Sequence, residues 1–196
     1  IRMYFHGVSK ERGGQWTGVA TSDNGLDFTV IPGVLGKFYF RVWEWQNHWY
    51  AIAKNHNAGW GELYRASSPY GPFELRGNFL KDMRHAAVAV EGSILVICYT
   101  RVGDCPERLL MTTVDLEQDW QLWSPTESAE ILRPELDYEG ANFACEPSMH
   151  GPQVNVNQLR DPSLIGDGGF WCIFYCSAGE MRICGADISY QIVSGA

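Results

Sequence analysis

The sequence lacks sustained helical periodicity, long apolar runs and any excess of positive charge, and each absence removes a class of protein. No apolar stretch approaches the roughly 18 residues a membrane-spanning helix needs, so no membrane partner is expected. Lysine and arginine number 15 against 23 aspartates and glutamates, a net charge of −8, which argues against nucleic acid and anionic membranes as partners. The five histidines (His6, His48, His56, His85, His150) form no HxH or HxxxH pair, so neither a metal nor any other cofactor is expected. The GxSxG, P-loop and GxGxxG patterns are also missing. No signal peptide is visible, and the first residue is Ile1 rather than an initiator Met. The six cysteines include no CxxC and do not space like a disulfide framework. Cys98, Cys172, Cys176 and Cys184 fall in predicted strands, where a thiol behaves as a small buried hydrophobe, while Cys105 and Cys145 fall in loops. Free thiols lean towards a reducing, cytoplasmic compartment.

What the sequence does contain is a repeat of short apolar strands. Gln158 to Ile188 sets the pattern: Arg160-Asp161-Pro162, a short apolar run, Gly-Asp-Gly-Gly at 166–169, a second run from Phe170 to Cys176, a small-residue break and a third run. Three short runs separated by turn residues read as an antiparallel meander. The second strands of successive passes are IRMYFHG, WYAIAKN, LVICYTR and WCIFYCS, and the third are TGVATSD, ELYRASS, RLLMTTV and MRICGAD. Arg41, Arg84 and Arg160 stand at corresponding distances before the second strands, on first strands. A unit of about 45 residues with up to four strands predicts an all-β fold, a five-bladed β-propeller with about three to four blades in this chain. The expected units are 1–35, 36–80, 81–123 and 158–196, with a long site-forming segment over 124–157. The chain begins on a second strand and ends after a third, so an incomplete ring, truncated at the N-terminus, is expected. Its open blade edges would invite pairing with a second copy.

First strands of a propeller line its central channel. Arg41, Arg84, His85, Arg160 and Asp161 fall on such strands, where apolar packing would otherwise be usual, and they are candidates for one ligand pocket with Arg101. Trp60, flanked by glycine in a loop, is the candidate stacking platform for a sugar; Trp43, Trp45 and Trp49 are at least as well explained by packing between blades. Glu139 and Glu146, in Tyr138-Glu139-Gly140-Ala141-Asn142 and Ala144-Cys145-Glu146-Pro147-Ser148, are candidate acids whose pKa partial burial would raise. Asp161, paired with Arg160 or Arg84, is expected to stay ionised. Two carboxyl groups flanking a bond are what glycoside cleavage needs.

Arg160-Asp161-Pro162, the following strand, Gly-Asp-Gly-Gly and Phe-Trp-Cys-Ile-Phe-Tyr together resemble a blade of the five-bladed propeller glycoside hydrolases, families 43 and 32 and their relatives. Ala20 to Phe28 (ATSDNGLDF) is similar to their turn ATSxDGxxF. An EGAN…EPS segment before LRDP, as at Glu139–Asn142 and Glu146–Ser148, resembles that of family-43-like proteins. The resemblance implies a glycoside hydrolase acting on a plant or algal oligo- or polysaccharide by carboxylate general acid/base hydrolysis. Asp161 would then be the stabiliser or base and Glu146 the acid, with the aspartate usually supplied by the family's first blade missing. In family 32 the RDP precedes the acid glutamate, whereas here it follows Glu146. A carbohydrate-binding propeller without catalysis, and a propeller used for protein contacts, are the alternatives.

Overall fold

The computed structural model describes residues 1–55, 59–149, 151, 153–167 and 170–188. His56, His150 and the Gly168-Gly169 part of the expected turn lie outside the described residues. Among the described residues thirteen strands run antiparallel: β1 (Arg2–Val8), β2 (Gln15–Thr21), β3 (Thr29–Trp45), β4 (His48–Lys54), β5 (Trp60–Ala66), β6 (Glu74–Lys81), β7 (Met83–Glu91), β8 (Ile94–Arg101), β9 (Leu109–Asp115), β10 (Ala129–Leu132), β11 (Val154–Asp167), β12 (Phe170–Gly179) and β13 (Arg182–Ile188). Among the described residues the one helical element is a 3-10 turn, Asp137–Glu139.

Four meanders are built from these strands. The first comprises β1, β2 and the N-terminal half of β3, which pairs with β2 from Thr29 to Lys37. The C-terminal half of β3, from Phe38, pairs with β4 and opens the second meander, β3-β4-β5-β6. β3 is therefore one continuous strand that leaves one meander and enters the next. The third meander is β7-β8-β9-β10 and the fourth β11-β12-β13. Gln46 and Asn47 take positive φ (46° and 62°), the geometry of a two-residue hairpin turn, and close β3 on β4.

Meander packs on meander, and the pleat explains why the second strands read as unbroken apolar runs. Side chains alternate between faces of a strand. Tyr50 and Ile52 of β4 enter the core shared with β7 and β8, while Ala51 and Ala53 enter the core shared with β2. Leu95, Ile97 and Tyr99 of β8 face the second meander, and Val96 and Cys98 face Leu159, Ile173 and Tyr175 of the fourth. A strand buried on both faces has no place for polar alternation. Trp43 stacks on Tyr50 (5.8 Å, 20°) and Trp123 (6.4 Å, 30°), so it is a packing residue.

The innermost strands β3, β7 and β11 share a local irregularity. Phe38 pairs with Lys54 and Arg41 with Ile52. Met83 pairs with Arg101 and Ala86 with Tyr99. Arg160 pairs with Cys176 and Ser163 with Phe174. In each case three steps along the inner strand match two along its neighbour, which is a one-residue bulge that re-aims the side chains at the kink. The superposed positions are Phe38, Met83 and Arg160; Tyr39, Arg84 and Asp161; Phe40, His85 and Pro162; Arg41, Ala86 and Ser163. The three arginines are thus not structurally equivalent, contrary to the sequence expectation: each occupies a different position of the bulge.

The turn between β12 and β13 depends on a glycine. Gly179 has φ +80°, and a Cβ there would sit 2.1 Å from the Gln153 carbonyl oxygen. Gly179→Ala is expected to destabilise the fold by roughly 2–4 kcal/mol in urea unfolding, from positive φ and backbone overlap together. Gly7→Ala, where a Cβ meets nothing within 4 Å, should stay within about 0.5 kcal/mol of the parent.

Candidate functional site

The three bulges converge on a cavity of about 520 Å³ to which all four meanders contribute. His6 and Gln15 come from the first, Phe38, Tyr39 and Lys54 from the second, Arg84 and His85 from the third, and Arg160, Asp161 and Glu180 from the fourth. One wall is aromatic. Tyr39 meets His85 edge-on (centroids 4.6 Å, 83°) and His6 at 4.9 Å, and Phe38 lies beside both Tyr39 and His6. Tyr39 holds this place with φ +55°, and Asp161, at the same bulge position, has φ +49°, a conformation uncommon for residues other than glycine.

Beneath the cavity lies a buried ionic frame. Arg160 and Glu107 are both fully buried and 3.1 Å apart, and Arg84 lies 3.3 Å from the other Glu107 oxygen. The Arg160 guanidinium also donates to Gln158 Oε1 (2.9 and 2.6 Å), Gln153 Oε1 (3.0 Å), the Gly151 carbonyl (2.8 Å) and Glu180 Oε1 (3.2 Å). Ser148 closes the frame: its hydroxyl donates to Glu107, and its carbonyl accepts from Arg84. Burial raises the Glu107 carboxyl against the pull of the two guanidinium groups. Such a frame is held together by completeness, because each unpaired member would be a buried charge.

Asp161 faces His85. Its carboxylate lies 3.3 Å from His85 Nε2, and its backbone N–H donates to Nδ1 at 3.4 Å. A neutral imidazole with its proton on Nε2 satisfies both contacts. Burial, reinforced by Arg84, Lys54, Arg160 and Arg41, drives the His85 pKa well below its ordinary value. Burial and then the Glu180 carboxylate push Asp161 up, opposed by Arg160, Arg41 and Arg84. The expected direct pairing of Asp161 with Arg160 or Arg84 is not formed; both guanidinium groups spend their contacts on the frame, and desolvation wins at Asp161.

The other sequence candidates are dispersed. Glu139 is buried elsewhere: one oxygen accepts the Tyr175 hydroxyl (2.6 Å), the other the backbone N–H groups of Glu135 and Leu136 (2.9 and 3.1 Å). It lines a separate cavity of about 330 Å³ and caps the 3-10 turn. The next residue, Gly140, has φ +91°, and a Cβ there would come within 2.6 Å of the Val156 carbonyl, so Glu-Gly-Ala-Asn is a structural turn. Glu146 is exposed and lines none of the cavities described here; Ser148 is the member of its motif that docks. Arg41 donates to the Ala86 carbonyl (2.6 Å) beside Pro162 and Ser163, outside the cavity but close enough to act on Asp161. Trp60, 37% exposed, and Arg101 share a third hollow of about 330 Å³. Among the described residues no three His, Cys, Asp or Glu side chains gather as a metal would require.

Solved structures with this fold are numerous. An endo-1,4-beta-xylanase of Bacteroides thetaiotaomicron covers 98% of this chain at 12% identity, with a TM-score of 0.68 and 69% of its own length matched. A thermostable family-43 glycoside hydrolase covers 90% at 15% identity (TM-score 0.60, 64% of its length). The family-32 beta-fructofuranosidase of Bombyx mori covers 89% at 11% identity (TM-score 0.56, 39% of its length). This chain has the β-propeller fold of the family 43 and family 32 glycoside hydrolases. At these identities the likeness is one of fold. No family model matches the sequence. In sequence, the chain is 34% identical over 206 residues to Uncharacterized protein R118 of Acanthamoeba polyphaga mimivirus, covering 95% of this chain and 56% of that protein. It thus spans little more than half the length of that relative.

The inner strands β3, β7 and β11 stand around the cavity mouth, which is why Tyr39, Arg84 and Asp161 meet there. Sequence reasoning found Arg84, His85, Arg160 and Asp161 and missed Tyr39, Lys54, Glu107 and Glu180. Tyr39 carried a usable signal: it occupies the same offset from its second strand as Asp161. Glu180 lies in a turn and Glu107 in the connection before β9, bridged to Gln158, with no motif around either.

Arg160→Met is expected to destabilise the propeller by about 3–5 kcal/mol in urea unfolding, because Glu107 and Glu180 lose their shared partner while Glu107 stays buried. Glu139→Ala should destabilise by about 1–3 kcal/mol without touching the central cavity, since it strands the buried Tyr175 hydroxyl.

Proposed function

We propose that the central cavity is a carbohydrate site and that the chain is a glycoside hydrolase-like propeller in which Asp161 and Glu180 supply the two carboxyl groups. One observation carries the reading: these carboxyl groups line a single cavity, and Asp161 is raised by burial and by Glu180. A raised carboxyl at the edge of an aromatic wall is suited to hold a proton and deliver it to a glycosidic oxygen, whereas Glu180, ion-paired with Arg160, is suited to serve as base or nucleophile. His85, neutral and fixed by its two contacts with Asp161, orients the acid. The aromatic wall of Phe38 and Tyr39 offers the face of a sugar ring a stacking surface. The plant or algal polysaccharides expected from the sequence remain the proposed substrate class, and the neighbouring folds include a xylanase and a fructofuranosidase.

A second reading has its own observation. Neither Glu139 nor Glu146, the carboxyl groups of the motif shared in resemblance with the hydrolases, lines the cavity, which favours a propeller that binds sugar without cutting it.

Sugar release from arabinan, xylan and fructan separates the two. As an enzyme, the chain should lose about 10²–10⁴-fold of its turnover in Asp161→Asn and in Glu180→Gln. An unchanged rate in both variants, or an equal loss in Glu146→Gln, would contradict the assignment. Binding without any turnover in the parent chain would select the second reading. The same Asp161→Asn variant should melt higher at neutral pH. The native state holds the Asp161 proton more tightly than the unfolded chain does, so stability falls as pH rises through the raised pKa. Asparagine has no such loss, and it tolerates positive φ.

A further inference from the structure

Three cations, Lys54, Arg84 and Arg160, stand at the cavity against Glu107, Asp161 and Glu180, an even balance in a chain of net charge −8. The guanidinium groups are already engaged. Arg84 and Arg160 side chains are only 6% and 0% exposed and hold the Glu107 frame, and Arg41 is tied to the Ala86 carbonyl. Lys54 differs. It closes β4 at the cavity wall, and among the described residues its ammonium forms neither a hydrogen bond nor an ion pair.

We propose that the cavity takes an acidic saccharide, one carrying a carboxylate or sulfate group, and that Lys54 receives the anion while the ring lies against Phe38 and Tyr39. This inference rests on the reading of the cavity as a sugar site. The groups facing Lys54 from the elements around it are Arg84 and His85 of β7, Arg160 and Asp161 of β11, Glu180 of the β12–β13 turn, Glu107, and Tyr39 and His6 of the aromatic wall. None supplies it a salt bridge. Burial, followed by repulsion from Arg84, brings Lys54 down to about 8, so the lysine is charged at neutral pH but held there at a cost that an arriving anion relieves. A neutral sugar leaves that cost in place. The anion is received without disturbing Glu107, whose own partners fix the floor of the cavity.

Calorimetric titration of the full chain with glucuronate-bearing xylo-oligosaccharides, sulfated galacto-oligosaccharides and their neutral counterparts tests this. At about pH 7 one acidic probe should bind roughly 10- to 100-fold more tightly than its neutral match. The preference should vanish in Lys54→Met and persist in Lys54→Arg. Between about pH 7 and pH 9.5 it should fade in the parent chain, as Lys54 loses its proton, but not in Lys54→Arg. The carboxylate and sulfate arms identify which anion is recognised. Equal affinity for acidic and neutral probes, or a preference that survives Lys54→Met, would overturn the inference and leave the sugar site standing. Failure of every probe to bind the parent chain would overturn both.

Discussion

The guanidinium of Arg160 is the interaction on which the site depends. It is the bulkiest of the fully buried side chains, and a cation in that position is tolerable only when its donors are spoken for. Its partners come from separate stretches of chain: Glu107 after β8, Ser148 and Gly151 from the long connection, Gln153 and Gln158 at the start of β11, and Glu180 in the following turn. Satisfying one charge therefore pins the connection between the third and fourth meanders against the cavity floor. The same requirement removes Arg160 and Arg84 from direct ligand binding, and it leaves Asp161 to His85 and to its own desolvation.

The second constraint is geometric and repeated. Each inner strand inserts one extra residue at the same place, and the kink turns Tyr39, Arg84 and Asp161 towards one another. Repetition of backbone irregularity, rather than repetition of residue type, builds the mouth. A propeller can thus vary the chemistry at each blade without altering the scaffold, since the bulge position accepts an aromatic ring, a cation or a carboxylate.

Much of the scaffold was legible in the sequence because it rests on local signals. Buried second strands announce themselves as apolar runs, and Gln46-Asn47 and Glu91-Gly92 mark their turns. Strands β6 and β10 were harder to read, since outer strands such as Glu74–Lys81 are partly exposed and carry charge. The site was half legible. Arg84, His85, Arg160 and Asp161 stood out as polar residues on strands that should be apolar. A bulge cannot be read from composition, however, so the arginines seemed equivalent when they are offset. The long-range partners of Arg160 have no local signature, and Glu107, the most deeply buried of the acids, looks in sequence like any loop glutamate. The EGAN and EPS segments drew attention for their carboxyl groups, whereas their structural weight falls on Glu139 as a cap, Gly140 as a close approach and Ser148 as an anchor.

The decisive measurement is the position of a bound oligosaccharide in a crystal of the Asp161→Asn chain. The account predicts a sugar ring against Phe38 and Tyr39, with its glycosidic oxygen facing residue 161 and Glu180. A sugar seated instead in the hollow of Trp60 and Arg101, with the central cavity holding none, would contradict it.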